Sequence, residues 1–135
     1  MKRLLPIALL FASFSTMSAS PYDKELLMIS GKIRSLTMYV ERGNNRSLML
    51  PVRKELLEAT KSLHRISEEA QSTNLSFLER GQPIDQSLNY ADAISRTLDL
   101  SGVMLDSYIQ TGDENFIKFS KEQLDISRKM MSKQP

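Results

Sequence analysis

Residues Met104 to Lys133 read MLDSYIQTGDENFIKFSKEQLDISRKMMSK, and the triplet Thr111-Gly112-Asp113 at the centre of that stretch decides the fold. Glycine has no Cβ and suits the left-handed position just past a helix end, while an aspartate directly after it can accept hydrogen bonds from the free amides of a new first turn. One helix therefore stops at Thr111 and another starts after Asp113. Asp113 and Glu114 set negative charge at the positive end of the second helix, and Lys129 and Lys133 sit near its negative end. So short a connection makes the two helices pack side by side and antiparallel.

Working back from this hairpin, Leu88, Ala91, Leu98, Leu105 and Ile109 recur at helical spacing and predict a third helix over roughly 84–110, with Gly102 allowing close approach of a neighbour. Val52, Leu56, Ala59, Leu63, Ile66 and Ala70 predict a second helix that opens between Ser47 and Pro51, where a proline is tolerated in the first turn. From Gln71 to Pro83 the periodicity fades into polar residues with Leu75, Phe77 and Leu78 embedded, which reads as a long central connection with room for one extra helical turn. Ser20-Pro21-Tyr22-Asp23 has the form of a capping box with proline at the first helical position. The stripe Tyr22, Leu26, Ile29, Ile33, Leu36 and Val40 then carries helix one to Gly43-Asn44-Asn45. In helix four, Phe116, Ile117, Phe119, Leu124, Ile126, Met130 and Met131 form a broader apolar face. The expected fold is all-α: an up-down-up-down antiparallel four-helix bundle over residues 20–135.

Residues 1–19 read as a secretory signal peptide: Lys2 and Arg3, an apolar run from Leu4 to Phe14, then small and polar residues, with cleavage between Ser18 and Ser20. The run is shorter than the roughly 20 residues of a membrane span, so no span is expected once it is removed. A periplasmic location follows. Without Lys2 and Arg3 the basic count falls from 18 to equal the 16 acidic residues, and no basic block remains to suggest nucleic acid as partner. There is no cysteine, so the hydrophobic core must hold the chain without disulfides.

The residue types point away from an enzyme. The single histidine, His64, would have to serve any triad alone, there is no Gly-x-Ser-x-Gly or Gly-rich phosphate loop, and Lys61 stands where a Glu-x-x-His iron motif needs its carboxylate. No metal site is expected from one imidazole lacking a second strong ligand. Glu68-Glu69 are neighbours that point in different directions and read as a solvated face. The methionines read as core filling or as thioether ligands in reserve.

The last hairpin, with its Gly112 turn, Glu122-Gln123-Leu124 and Arg128, together with Val52-Arg53-Lys54-Glu55-Leu56, resembles the soluble periplasmic cytochrome b562 family. The resemblance implies a four-helix bundle and, as family cofactor, a non-covalent haem b held by a methionine of helix one and a histidine near the end of helix four. Carried across, those axial positions fall on Leu26 and Ser132; shifted by one or two residues they fall on Leu27 or Met28 and on Met131 or Lys133. Leucine cannot ligate iron, a serine hydroxyl is a poor substitute for imidazole, and no shift supplies a histidine. No cofactor is therefore expected, and the chain reads as a haem-free binding or interaction module for an unknown protein or small ligand, with Leu75, Phe77 and Leu78 as a possible contact surface. Two alternatives stay open: a haem-carrying electron carrier that uses His64 with a core methionine such as Met104, and a soluble ligand-sensing module, since Tyr108 to Asp113 also resembles a turn of bacterial four-helix sensory domains.

Overall fold

The Gly112 turn forms as its residue types require. In the computed structural model, which describes residues 20–43 and 49–133, Gly112 has φ 75° and ψ 6°, and its amide donates to Tyr108 O at 2.7 Å. The Asp113 side chain accepts from the Asn115 amide at 3.0 Å. Four helices result: α1 (Asp23–Arg42), α2 (Leu50–Glu79), α3 (Gln86–Thr111) and α4 (Glu114–Ser132). The signal-peptide reading and Asn44-Asn45 lie outside the described residues.

Two apolar clusters, one at each end, record the direction of each helix. At one end Leu26, Ile29 and Ile33 of α1 meet Leu63 and Ile66 of α2, Ala91 and Ile94 of α3, and Leu124 of α4. At the other, Leu36 and Val40 meet Val52, Leu56, Leu105, Ile109 and Ile117. Sequence order along each helix makes the course up-down-up-down, and all six stripe positions of α2 are buried.

The start of α1 differs slightly from a plain capping box. The Asp23 carboxylate takes the Ser20 amide at 3.0 Å and the Ser20 hydroxyl at 2.6 Å, but the helix begins at Asp23, so Pro21 precedes it. At the other end Gly43 is extended, at φ −82°.

The long central connection expected over Gln71–Pro83 is not there. Helix α2 continues to Glu79, and only residues 80–85 link it to α3. The stripe does not end at Ala70 but passes to Asn74, a buried polar residue whose amide group is satisfied by the chain entering α3: Asn74 Oδ1 accepts from the Asp85 amide at 2.8 Å, and Nδ2 donates to Asp85 O at 3.1 Å. Gly81, at φ 72°, makes the turn.

Helix α3 is the centre of the bundle. It packs extensively on both α2 and α4, and α1 lies closer to α3 than to either neighbour beside it, so the cross-section is a rhombus with α1 and α3 on the short diagonal. Small buried side chains permit this. Ser30 and Thr37 of α1, Ser95 and Ser101 of α3, and Ser120 and Ser127 of α4 are all buried, and Thr37, Ser95 and Ser127 return their hydroxyl hydrogen to a carbonyl one turn earlier. Ser101 and Ser120 instead bond across the α3–α4 seam. Gly102 is not what brings helices together: a Cβ there would meet only Leu56 Cδ2, at an ordinary 3.8 Å. On α4 the core face is Ile117, Ser120, Leu124 and Ser127, whereas Phe119 and Ile126, expected in it, are exposed.

An aspartate stands at every seventh residue from Asp85 through Asp92, Asp99 and Asp106 to Asp113. The first and last cap helices, and the middle three form rungs to α2. Arg53 Nε donates to Asp106 at 2.7 Å, His64 Nε2 lies 2.9 Å from Asp99, and Asp92 accepts from Ser67 Oγ and from Gln71 Nε2 at 3.1 Å. Repetition at the heptad interval fixes the register of the α2–α3 hairpin. Burial pushes the Asp92 carboxyl up, but the bonds from Ser67, Gln71 and Arg96 outweigh it and hold the group below the ordinary 3.8. A carboxyl depressed in the folded state adds stability that is complete above pH 3.8 and is lost as pH falls through the lower folded value. In urea titrations from pH 5 down to about 2, Asp92→Asn should therefore flatten the acid loss seen in the parent; an unchanged acid slope would show that Asp92 is not responsible.

Candidate functional site

The short α1–α3 diagonal leaves the α1–α4 seam open. A groove of about 890 Å³ runs along it, within the roughly 300–1,000 Å³ range of ligand sites. Its floor is the buried edge of Thr37, Ile117 and Leu124. The α1 rim carries Arg34, Met38 and Glu41, and the α4 rim carries Glu114, Lys118, Lys121, Glu122, Asp125 and Arg128, so the lining holds four basic and four acidic side chains.

The helical period explains this lining. Positions 34, 37, 38 and 41 of α1, and 114, 117, 118, 121, 125 and 128 of α4, each recur at three or four residues and so share one flank. Lys121 Nζ reaches across the groove to Glu41 Oε2 at 2.7 Å. Arg128 is held by Asp125 on its own helix. Arg34 and Lys118 have no acidic partner within ion-pair distance among the described residues. Glu114 and Glu122 of the same lining are likewise without an ion-pair partner among the described residues, so unpaired charges of both signs beside an apolar floor suit a ligand with an apolar body and a charged head group.

The two positions implied by the cytochrome resemblance lie at the same end of the bundle but do not face each other across a cavity. Leu26 is 1% exposed inside the first apolar cluster, and beside it lies a small cleft of about 180 Å³ that it shares with Leu27, Ile94 and Met131. Ser132 is exposed, and its hydroxyl donates to Lys129 O at 2.9 Å. Of the shifted positions, Leu27 and Met28 point into solvent, Lys133 is exposed, and only Met131 turns inward.

His64 and Met104 are not brought together. The Arg53–Asp106 and Ser67–Asp92 rungs place residue 95 of α3 level with His64, so Met104 is nine residues further along, roughly 13 Å at 1.5 Å per residue. The imidazole is exposed and occupied by Asp99, whose Oδ1 is buried without a hydrogen-bond partner. Among the described residues no group of three or more histidine, aspartate or glutamate side chains could hold a metal ion, and no helix is long and apolar enough to cross a membrane.

Leu75 and Leu78 are exposed, as a contact surface needs, but they sit on the last turns of α2, and Phe77 is half-buried beneath the Arg80 guanidinium, 5.5 Å from its ring centroid. The groove itself is not legible in the sequence: Arg34 and Lys118 read there as ordinary exposed charges, and only the lean of α1 sets them on one flank. No family model, curated protein or solved structure matches the chain.

Proposed function

We propose that the protein is a periplasmic, haem-free four-helix module, similar in architecture to the cytochrome b562 family, which binds an amphiphile with a charged head group in the α1–α4 groove. The observation that carries this reading is Leu26: the position where the family's iron would take its helix-one ligand is a closed part of the core, while an open groove with unpaired charges of both signs lies elsewhere. A cavity vacated by a cofactor is costly to keep, since unfilled volume forfeits contacts on every wall. Leucine at position 26, packed with Leu63 and Ile94, is what a refilled site would hold. The module reading asks for no reacting group, which accords with a lone histidine already engaged by Asp99.

The test is a visible absorption titration of the folded protein with haem, in both oxidation states, beside a fluorescence titration with anilinonaphthalene sulfonate. The expected result is a haem spectrum that never departs from the free cofactor, together with saturable dye binding that weakens about tenfold in Arg34→Ala/Lys118→Ala. Saturable low-spin haem bands would restore the electron carrier, and their loss in His64→Ala would identify its ligand. Dye binding untouched by the double substitution would overturn the groove.

A further inference from the structure

Gly102 is left without a task by the packing of the helices. It lies inside α3, where glycine is a poorer helix former than alanine, and a Cβ built on it would touch only Leu56 Cδ2, at an ordinary 3.8 Å. No neighbouring helix therefore requires glycine there. What the missing side chain leaves is depth. A trough of about 530 Å³ runs between α2 and α3, and Gly102 and the buried Leu56 belong to its lining. Leu50 and Leu57 line it from α2 and Val103 from α3, and these three side chains are 58%, 56% and 44% exposed. From Leu50 to Thr60 the trough follows α2 for ten residues, roughly 15 Å at 1.5 Å per residue. Large apolar side chains gathered around a recess of ligand size, rather than scattered singly, mark a binding site.

We propose that this trough is a second binding site, which takes a straight-chain amphiphile with a single anionic head group, such as a medium-chain carboxylate. The sign of the head group is set by the three charged side chains of the lining, Arg53, Lys54 and Asp106. Arg53 and Asp106 are engaged with each other, Nε donating at 2.7 Å and Nη2 at 3.4 Å, and Gln110 Nε2 donates to the same carboxylate at 2.7 Å. Both oxygens of Asp106 are thus already occupied, which leaves a cationic ligand no fresh acceptor. Lys54 is the charge without a counterpart: it has no acidic partner within ion-pair distance among the described residues. Of the acids beside it on α2, Glu55 is held by Lys32 at 3.3 Å, and Glu58 lies outside the lining. A lysine on a rim brings its ammonium over a head group while its methylenes extend the apolar wall. The chain of the ligand then runs past Gly102, over Leu56 and between Leu57 and Val103, and it takes from water the apolar surface those residues now expose. This site lies between α2 and α3 and the groove described above between α1 and α4, so neither depends on the other.

Amide NMR of the folded protein, titrated below micelle formation with decanoate, decanol and decyltrimethylammonium, tests this. The Arg34→Ala/Lys118→Ala background removes the cations of the α1–α4 groove from the measurement. Decanoate should give saturable shifts at Leu57, Gly102 and Val103, with an affinity about tenfold above that of the other two probes. Lys54→Gln should bring decanoate down to the level of decanol and leave decanol itself unchanged. Gly102→Ala should raise the melting temperature by about 3 °C and yet weaken decanoate about fourfold, the equivalent of one methylene lost from contact. A protein that becomes more stable while binding less well is not explained by a damaged fold. The absence of saturable shifts at these three residues overturns the proposal. So does a preference for decanoate that survives Lys54→Gln, or a Gly102→Ala protein that binds decanoate as tightly as the parent.

Discussion

Ser120→Leu is expected to lower the unfolding free energy by about 3–5 kcal/mol, a large part of the roughly 5–15 kcal/mol that holds a domain folded. Ser120 and Ser101 are wholly buried at the α3–α4 seam. Each hydroxyl donates to the other residue's backbone carbonyl at 2.8 Å, and the two oxygens lie 3.0 Å apart. A side chain that spans the seam and reaches the opposite backbone leaves no room for a longer one. Leucine would push the helices apart along a contact that continues to Leu124 and Ser127, and it would strip one partner from Ser101. Overpacking costs about 1–3 kcal/mol and a lost buried hydrogen bond a similar amount. Ser120→Ala removes the bond without the bulk, so it should cost about 1–2 kcal/mol. Urea unfolding of both variants separates the terms. If leucine were tolerated as well as alanine, the seam would have slack and the serines would not set the helix spacing.

The same serines mark where the sequence stops being legible. A scan for apolar residues at steps of three and four finds every helix here, because Leu26 to Val40, Val52 to Ala70 and Leu88 to Ile109 repeat without interruption. On α4 the core face alternates apolar and serine, Ile117, Ser120, Leu124, Ser127, and the phenylalanine and isoleucine set between them look more like core than the serines do. Burial is decided by distance to the neighbouring helix: where two helices approach closely only small side chains fit, and Phe119 and Ile126 are driven to the outside. Apolar character alone cannot report that distance. The seven-residue recurrence of Ser120 and Ser127 beside Ile117 and Leu124 is the signal that could have shown it.

The site is less legible than the fold for a related reason. Leu26 stands in an unbroken stripe and its burial follows from that stripe. The groove lies between α1 and α4, two helices far apart in sequence, and α1 packs more on α3 than on either of its other neighbours. The aspartate ladder is visible as a recurrence in the sequence, but its partners Arg53, His64, Ser67 and Gln71 are of four types, and only the paired helices show that they face one column.

Asn74→Ala is the substitution that should best expose the coupling between the end of α2 and the start of α3. Its expected cost is about 2–3 kcal/mol, more than an exposed asparagine would lose, because the Asp85 amide loses its acceptor while the Asp85 carbonyl, which keeps the Leu88 and Asn89 amides, loses one of three donors. Asn74 Oδ1 takes the Asp85 amide at 2.8 Å, and Nδ2 serves both Asp85 O and Asn89 Oδ1, at 3.1 and 3.3 Å. Asp85 in turn caps α3 by accepting from the Ser87 amide at 2.9 Å and from its hydroxyl at 2.7 Å. One buried side chain therefore positions the residue that starts the next helix. The loss should be local before it is global: amide hydrogen exchange at residues 85–88 should accelerate more than at Leu98 or Leu105, which lie deep in the core. Asn74→Asp keeps the acceptor for the Asp85 amide but has no donor for its carbonyl, so its exchange at Asp85 should fall between alanine and the parent. Uniform acceleration along α3 in the alanine variant would show instead that Asn74 acts only through overall stability, and that the α2–α3 connection is held by the heptad rungs beyond it.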